Sequence, residues 1–359
     1  MDTIYKRAYA KINLNLKILD KREDNYHNIE SIFQRISLYD ELYVSKIPEK
    51  KFELTCNIKE LESESNIIFK AYEKFRKLFD LPTGISVNLI KNIPTQAGLG
   101  GGSADAAAFI FALNELFELN LGLDAIELIG STLGADVVPC MHPLCYVYGT
   151  GTTVQPLSSK QQYKLLIVKP NFVCDTKLMY EKIDIINKNN KNNEDNKENN
   201  IIKPEQNTPS LEEKLNNSFF ANILDDIEME MLLEELSFLG KFGPYKNNIY
   251  KKDKENDNKN EIQIKDQRTL DILTVLKTNA PISTLQGLLT NDFEQVVDQK
   301  SELLAIKKDL ILHGAIAPLL TGSGSCIFGI FENEKDLDNA YNYFRKTYNY
   351  KLFKASSMN

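Results

Sequence analysis

No apolar run in this 359-residue chain approaches membrane-spanning length, so no membrane partner is expected. Histidine is scarce, with three copies, and the five cysteines (Cys56, Cys140, Cys145, Cys174, Cys326) are odd in number and form no C-x-x-C pair. Cys140 and Cys145 share a mostly apolar stretch whose only other candidate ligand is His142, which argues against structural zinc. No cysteine has a helix start or clustered basic residues in evidence, which argues against a thiol nucleophile. Free, mostly buried thiols in a reducing cytosol are the expectation. The first residues lack an apolar h-region and carry charges at Asp2, Lys6, Arg7 and Lys11, so no signal or transit peptide is expected and the location is expected to be cytoplasmic. Positive charge is outnumbered, 43 Lys and Arg against 50 Asp and Glu, and the net charge of -7 argues against nucleic acid as a partner. What remains, 42% hydrophobic and 26% charged, is the composition of an ordinary globular protein long enough for two domains.

The stretch Pro94-Thr95-Gln96-Ala97-Gly98-Leu99-Gly100-Gly101-Gly102-Ser103-Ala104-Asp105 says most about chemistry. Four glycines within five residues precede an alanine-rich run that favours a helix over Ala104 to Leu113, with Ser103 in position to cap it. Glycines let backbone N–H groups turn toward a ligand and let the ligand come close. A helix N-terminus adds unpaired N–H groups at the positive end of its dipole. The loop is therefore read as a cradle for nucleotide phosphates. It is not a P-loop, which needs Lys-Ser or Lys-Thr where Ser103 and Ala104 stand, nor a dinucleotide fingerprint, which needs Gly or Ala at 103. The bland alternative is a turn without a ligand, although single glycines suffice for turns.

Ile4 to Leu19 alternates apolar and polar residues through Ile12, Leu14, Leu16 and Ile18, predicting a strand. Further strands are predicted over 31–38, 42–45, 85–90 and 163–168. Helices are predicted over 66–79, capped by Ser65, and over 124–133, ending at Gly134. Composition then shifts: residues 187–200 and 246–260 are Asn/Lys tracts too poor in apolar residues to pack. Between them, 211–239 has apolar residues at helical spacing, read as one or two helices on disordered tethers. Globular character returns after Ile272, and a second glycine loop, Thr321-Gly322-Ser323-Gly324-Ser325, precedes the strand-like 326–330.

Three lesser signals have ordinary readings when taken singly. Lys11 and Asn13 share one face of the first strand, which alone reads as a solvated face. Asp136, before Val137-Val138-Pro139-Cys140, alone reads as a cap or turn acid. Tyr26-His27, after the polar turn Arg22-Glu23-Asp24-Asn25, alone reads as incidental. Their order carries more: Ala10-Lys11-Ile12-Asn13, Asn25-Tyr26-His27, the glycine loop, Gly134-Ala135-Asp136, then Thr321 to Ser325. In this order the chain resembles the GHMP superfamily of small-molecule kinases. Within it, the resemblance is greatest to the branch that acts on a cytidine-diphosphate-linked methylerythritol of the non-mevalonate isoprenoid pathway. It runs through Tyr26 to Gln34, Leu38 to Leu42, Ser65 to Ile67, Lys91 to Pro94 and Asn291 to Glu294, and covers residues 4–180 and 270–332.

The resemblance implies an α+β fold in two parts. Residues 1–155 would form an ATP-binding domain like the second domain of ribosomal protein S5. Residues 156–359 would form a ferredoxin-like domain interrupted by an insert at about 187–265, with the site in the cleft between the two. It implies ATP with Mg²⁺, phosphorylation of the substrate's 2-hydroxyl, Asp136 as general base and Lys11 as its electrostatic partner. ATP would lie along Asn66, Lys91, Pro94 and Ala97 through Ser103, with Ser103 a candidate Mg²⁺ ligand. The substrate would meet Asn13, Tyr26, His27, Thr176, Tyr180, Gly322 and Gly324. Tyr26 and His27 would grip the cytidine while Tyr180 stacks on the cytosine from the other side. A homoserine- or mevalonate-type kinase is the neighbouring reading, but those substrates have no base for these aromatics. An inactive nucleotide-binding relative would have no need of both Lys11 and Asp136. The chain departs from the family's pattern at Asn25 where Gly is usual, at Pro139 one position late after Asp136, at Thr152-Thr153 where Glu is frequent, and in the insert, expected to be a surface excursion outside catalysis.

Overall fold

The alternating pattern at the start of the chain folds as β1, Thr3–Lys21, which pairs antiparallel with β2, His27–Ile47. The structure is a computed structural model and describes residues 3–198, 264, 266–278 and 280–359. Asn25 sits in the connection at φ 66°, a left-handed conformation that Asn tolerates better than most residues, so the turn survives without the usual glycine. β2 is one strand rather than two, because no Gly or Pro interrupts it and the intervening Asp40 is fully buried and paired.

Strands β3 (Phe52–Cys56), β4 (Gly84–Ile90), β5 (Leu144–Gly149) and β6 (Thr153–Pro156) extend the same sheet. β7 (Lys164–Lys169) opens a second sheet, whereas β8 (Thr290–Asn291) returns to the first and pairs parallel to β1 at Asn15 and Leu16. β9 (Ile316–Leu320), β10 (Ile327–Phe331) and β11 (Lys351–Ser356) complete the second sheet in the order β11-β7-β10-β9, antiparallel throughout. Its fourth strand lies beside its first and its third beside its second, the ferredoxin-like order.

Helix α1 (Ile67–Phe79) buries Ile68, Ala71, Tyr72 and Phe75 at helical spacing. Its cap is Asn66, whose Oδ1 accepts from the Ile68 N–H at 3.0 Å; Ser65, the expected cap, bonds Ser63 instead. Helix α2 (Gly101–Leu116) starts at Gly101 with Gly100 at the cap, so Ser103 lies inside the first turn rather than capping it. Helix α3 covers Leu123–Ser131, slightly earlier than predicted, and the short α4 covers Val137–Met141. Pro139 falls in the first turn of α4, where its missing N–H has no helical partner to lose, which accommodates its shifted position.

Helix α5 (Thr176–Glu198) continues through the start of the tract predicted to be unstructured. Its early turns bury Met179 and Ile183, and a nucleated helix extends cheaply through residues without Gly or Pro. The helices predicted over 211–239 and the tract 246–260 lie outside the described residues. Helices α6 (Gln267–Lys277), α7 (Lys300–Leu312) and α8 (Glu334–Thr347) follow. No helix among the described residues is long and apolar enough to cross a membrane.

From Ala10 through Leu16 every residue of β1 is buried, so the face of Lys11 and Asn13 is not solvated. Ala8 packs with α1 and α2, while Ala10, Ile12 and Leu14 pack with Leu165, Ile167 and Phe328 of the second sheet. Register shifts at Tyr9/Lys11 and Asn13/Asn15 re-aim the side chains between these two cores.

Candidate active site

The two glycine loops meet. The Cys326 N–H donates to Ala97 O at 3.1 Å, and a Cβ on Gly98 would fall 1.9 Å from Thr321 O. Only glycine permits that approach, and at φ 73° only glycine adopts the conformation readily. Gly322 closes from the other side, against Gly98 O, and Asn291 Nδ2 donates to both Leu320 O and Gly322 O at 2.8 Å. At the end of the first loop α2 begins with no side-chain cap. The amides of Gly101, Gly102 and Ser103 are therefore without partners among the described residues, an arrangement suited to an anion. These amides border a cavity of about 890 Å³ lined also by Asn66, Lys91, Pro94, Ala97, Thr176, Ser323 and Gly324. Every residue predicted to meet ATP thus lines one cavity, joined by Thr176, whose hydroxyl lies 2.6 Å from that of Ser323.

Lys11 lies beneath the loop. Its N–H donates to Leu99 O at 3.0 Å, and Gly100 leaves room for its stem, since a Cβ there would lie 2.9 Å from Lys11 Cγ. The ammonium donates to Asn13 Oδ1 at 2.8 Å, sits 3.4 Å from Asp136 Oδ2, and lies 4.3 Å from the centroid of the Phe33 ring. Its side chain is 6% exposed whereas that of Asp136 is 39% exposed, so a buried cation faces an acid open to ligands. Asn13 is held in turn by Ser31, to which its Nδ2 donates at 2.8 Å, and its N–H donates to Thr321 Oγ1 at 3.3 Å. Cys140, next to this group, has its thiol pushed up to about 12 by burial and by the charge of Asp136, so it stays protonated. The described structure has all five cysteines free.

Lys91 is less open than the sequence suggests. Its buried ammonium bonds the carboxylates of Asp40 and Asp105, the latter at 2.5 Å. Asp40 Oδ1 also accepts from the N–H groups of Asn92 and Ile93, at 2.5 and 2.7 Å, which fixes the entry to the loop. Burial drives the Asp105 carboxyl well above the usual carboxylate range against the pull of the ammonium.

The residues predicted to meet the substrate divide. His27 and Tyr180 stack at 4.8 Å and 19°, and Phe293 meets Tyr180 edge-on at 5.0 Å. The Tyr180 hydroxyl is pushed up to about 12 by burial and by the charge of Asp136, which puts this aromatic group within electrostatic reach of the acid. Tyr26, 68% exposed, has no ring contact with either, so His27 and Tyr180 touch each other directly. Sequence reasoning did not assign Asp40, Asp105, Asp184, Asn291, Thr321 or Ser323 to the site. Asp40 and Asn291 stood in quoted motifs, but an acid or amide signals its role only once its burial and partners are known.

Residues 66–143 match the family model for the GHMP kinases N terminal domain, and residues 276–349 match that for GHMP kinases C terminal. A Thermodesulfovibrio yellowstonii protein named 4-diphosphocytidyl-2-C-methyl-D-erythritol kinase is 32% identical over 340 residues, covering 94% of this chain and 93% of that protein. A Lachnoclostridium phytofermentans protein of the same name is 30% identical over 344 residues, covering 95% and 92%. The crystal structure of a 4-(cytidine 5'-diphospho)-2C-methyl-D-erythritol kinase aligns with a TM-score of 0.65 at 21% identity, over 99% of this chain and 100% of that one. A homoserine kinase from Cytophaga hutchinsonii aligns at 0.61 and 14%, over 100% and 95%, and these two likenesses show the fold. With both family models matched and identity sustained across nearly the whole length, the chain belongs to the GHMP kinases, ATP-dependent enzymes that phosphorylate small molecules, and among them to the 4-diphosphocytidyl-2-C-methyl-D-erythritol kinase family.

Proposed function

We propose that the chain transfers the γ-phosphoryl group of ATP to the 2-hydroxyl of 4-diphosphocytidyl-2-C-methyl-D-erythritol. The observation that carries this reading is the buried Lys11 ammonium shared between Asn13 and the open Asp136, beside the uncapped start of α2. The substrate O–H proton passes to Asp136 as the new O–P bond forms, and the bond from Pγ to the bridging oxygen breaks, leaving ADP with the electron pair. Lys11, 3.4 Å from Asp136, offsets charge on the transferring group. The amides of Gly101, Gly102 and Ser103 hold the phosphates, and the second loop at Gly322 and Gly324 borders the acceptor.

Mg²⁺ neutralises phosphate charge when bound with ATP. Among the described residues no three Asp, Glu, His or Cys side chains form a metal cluster. The ion would be carried on phosphate oxygens and water, and the Ser103 hydroxyl of the cavity wall is the residue that would contact it. His27 and Tyr180 supply an edge and a face for the cytosine, features that a mevalonate or homoserine site does not need.

The test is ADP release with ATP, Mg²⁺ and the cytidine-linked substrate, beside mevalonate and homoserine, for wild type and Asp136→Asn. Turnover of the cytidine-linked substrate alone, lost in the variant, is the expected result. Turnover of mevalonate or homoserine instead would refute the assignment of the base pocket.

A further inference from the structure

One carboxylate ties the Tyr26-His27 turn to α5. Asp184 Oδ1 lies 2.6 Å from His27 Nε2, and Asp184 Oδ2 lies 2.6 Å from Lys21 Nζ. Burial opposes ionisation of this carboxyl, but the hydrogen bonds from Lys21 and His27 outweigh it and hold it below the usual carboxylate range. An ionised carboxylate only accepts, so Nε2 must carry the proton in this contact. With Nε2 donating to Asp184, Nδ1 is the ring nitrogen left to meet a ligand. Nδ1 has no hydrogen-bond partner among the described residues.

The plane of the ring is fixed as well. The His27 side chain is 6% exposed and its ring lies against Tyr180, which Phe293 braces from the side. A base placed edge to edge with Nδ1 would stay nearly parallel to the Tyr180 ring. Cytosine presents a 4-amino donor on such an edge, whereas uracil presents a 4-oxo acceptor. Two facing acceptors leave both unpaired, which penalises uracil.

We propose that Asp184 is a specificity-determining positioning residue: it locks His27 in the Nε2–H tautomer, so that Nδ1 accepts from cytosine and rejects uracil. The inference rests on the reading of the site as a cytidine-diphosphate pocket. It extends that reading to a residue that does not itself touch the base.

The experiment titrates the full-length protein with CDP and with UDP by calorimetry, for wild type, Asp184→Asn, Asp184→Ala and Asp184→Glu. Comparing two ligands on one variant cancels any partial loss of folded protein. Wild type is expected to favour CDP by about tenfold or more, the discrimination typical of one base-edge contact. In Asp184→Asn the amide can donate to Nε2 and shift the proton to Nδ1, and the CDP preference should fall to about threefold or less, or reverse. Asp184→Ala should also lose the preference, and Asp184→Glu should restore it. Equal weakening of CDP and UDP, with the ratio kept, would overturn the proposal and leave Asp184 a fold-supporting residue only. A flat ratio in wild type alongside turnover of the cytidine-linked substrate would overturn the proposal and leave the function standing. Absence of both would overturn the two together.

Discussion

Replacing Lys91 with Met keeps much of the stem and removes the ammonium that lies between Asp40 and Asp105. The Lys91 side chain is 4% exposed and that of Asp40 0%, so the charge left on Asp40 has no access to water. The amides of Asn92 and Ile93 still reach Asp40 Oδ1, which moderates the loss without supplying a countercharge. Removing one partner of a buried ion pair typically costs about 3–5 kcal/mol. At about 1–2 °C per kcal/mol for a chain of this length, Tm should fall by about 3–10 °C. The double variant Lys91→Met/Asp40→Asn no longer strands the charge and should recover a substantial part of the loss, a coupling of about 1–3 kcal/mol. The assay is thermal and urea unfolding of the wild type, both single variants and the double, with KM for ATP measured on the same proteins. Two carboxylates already occupy the ammonium, so stability should suffer more than nucleotide binding. A Lys91→Met protein that melts within about 2 °C of wild type while its KM for ATP rises roughly tenfold would refute the reasoning.

Lys11→Met and Asp136→Asn should each lower kcat in the ADP-release assay by about 10²–10³, and the double variant should be little worse than either, because the two side chains act as a unit. Multiplying losses would argue against that unit. Gly98→Ala places a Cβ 1.9 Å from Thr321 O at φ 73°. It should cost about 2–4 kcal/mol in urea unfolding and raise KM for ATP, and wild-type values for both would mean that the loops are not held together. Asp105 has a raised folded-state pKa because burial disfavours its charge, so its contribution is fully present below the ordinary carboxylate range and is lost as pH rises toward the folded value. Asp105→Asn keeps an acceptor for Lys91 without that penalty. Its stability relative to wild type should therefore improve as pH rises above the ordinary carboxylate range, whereas a pH-independent difference would refute the raised pKa.

The first glycine loop was legible because it is local: glycine density, an alanine run and a missing Lys after Gly102 specify a loop and a helix start without tertiary information. Its cap was misread because Ser103 has the right chemistry for a position that the left-handed Gly100 takes instead. The β1 strand was also legible, but not its burial. Alternation identifies two faces, whereas only the packing of the second sheet and the register shifts decide that both are covered. Asp40, Asp105 and Asp184 were hidden for a related reason. An acid reads as solvent-facing until a partner from elsewhere is known, and the partners lie 51, 14 and 157 residues away in sequence. Helix α5 ran past its predicted limit because composition reports the capacity to pack, while a helix already nucleated on Met179 and Ile183 needs only residues that do not break it.

The second glycine loop acts on more than its own surroundings. Thr321 accepts the Asn13 N–H at 3.3 Å, and its Oγ1 lies 3.2 Å from Gly98 O, so one hydroxyl joins the strand that carries Lys11, the first glycine loop and the second sheet. Asn13 in turn receives the Lys11 ammonium at 2.8 Å. A displacement of the second loop would therefore pull on Asn13 and release the lysine from the geometry that faces Asp136. Misplacing a catalytic group by about 1 Å can cost about 10²-fold. Substitutions at Thr321 should thus lower kcat through the lysine even though no reacting atom touches the threonine. The same chain of contacts explains why Asn291, anchoring the loop through Leu320 and Gly322, comes from β8, the short strand that the C-terminal region adds to the first sheet. The strand that bears the lysine and the strand that sets the loop are paired, so the two glycine loops cannot shift independently of Lys11 and Asp136.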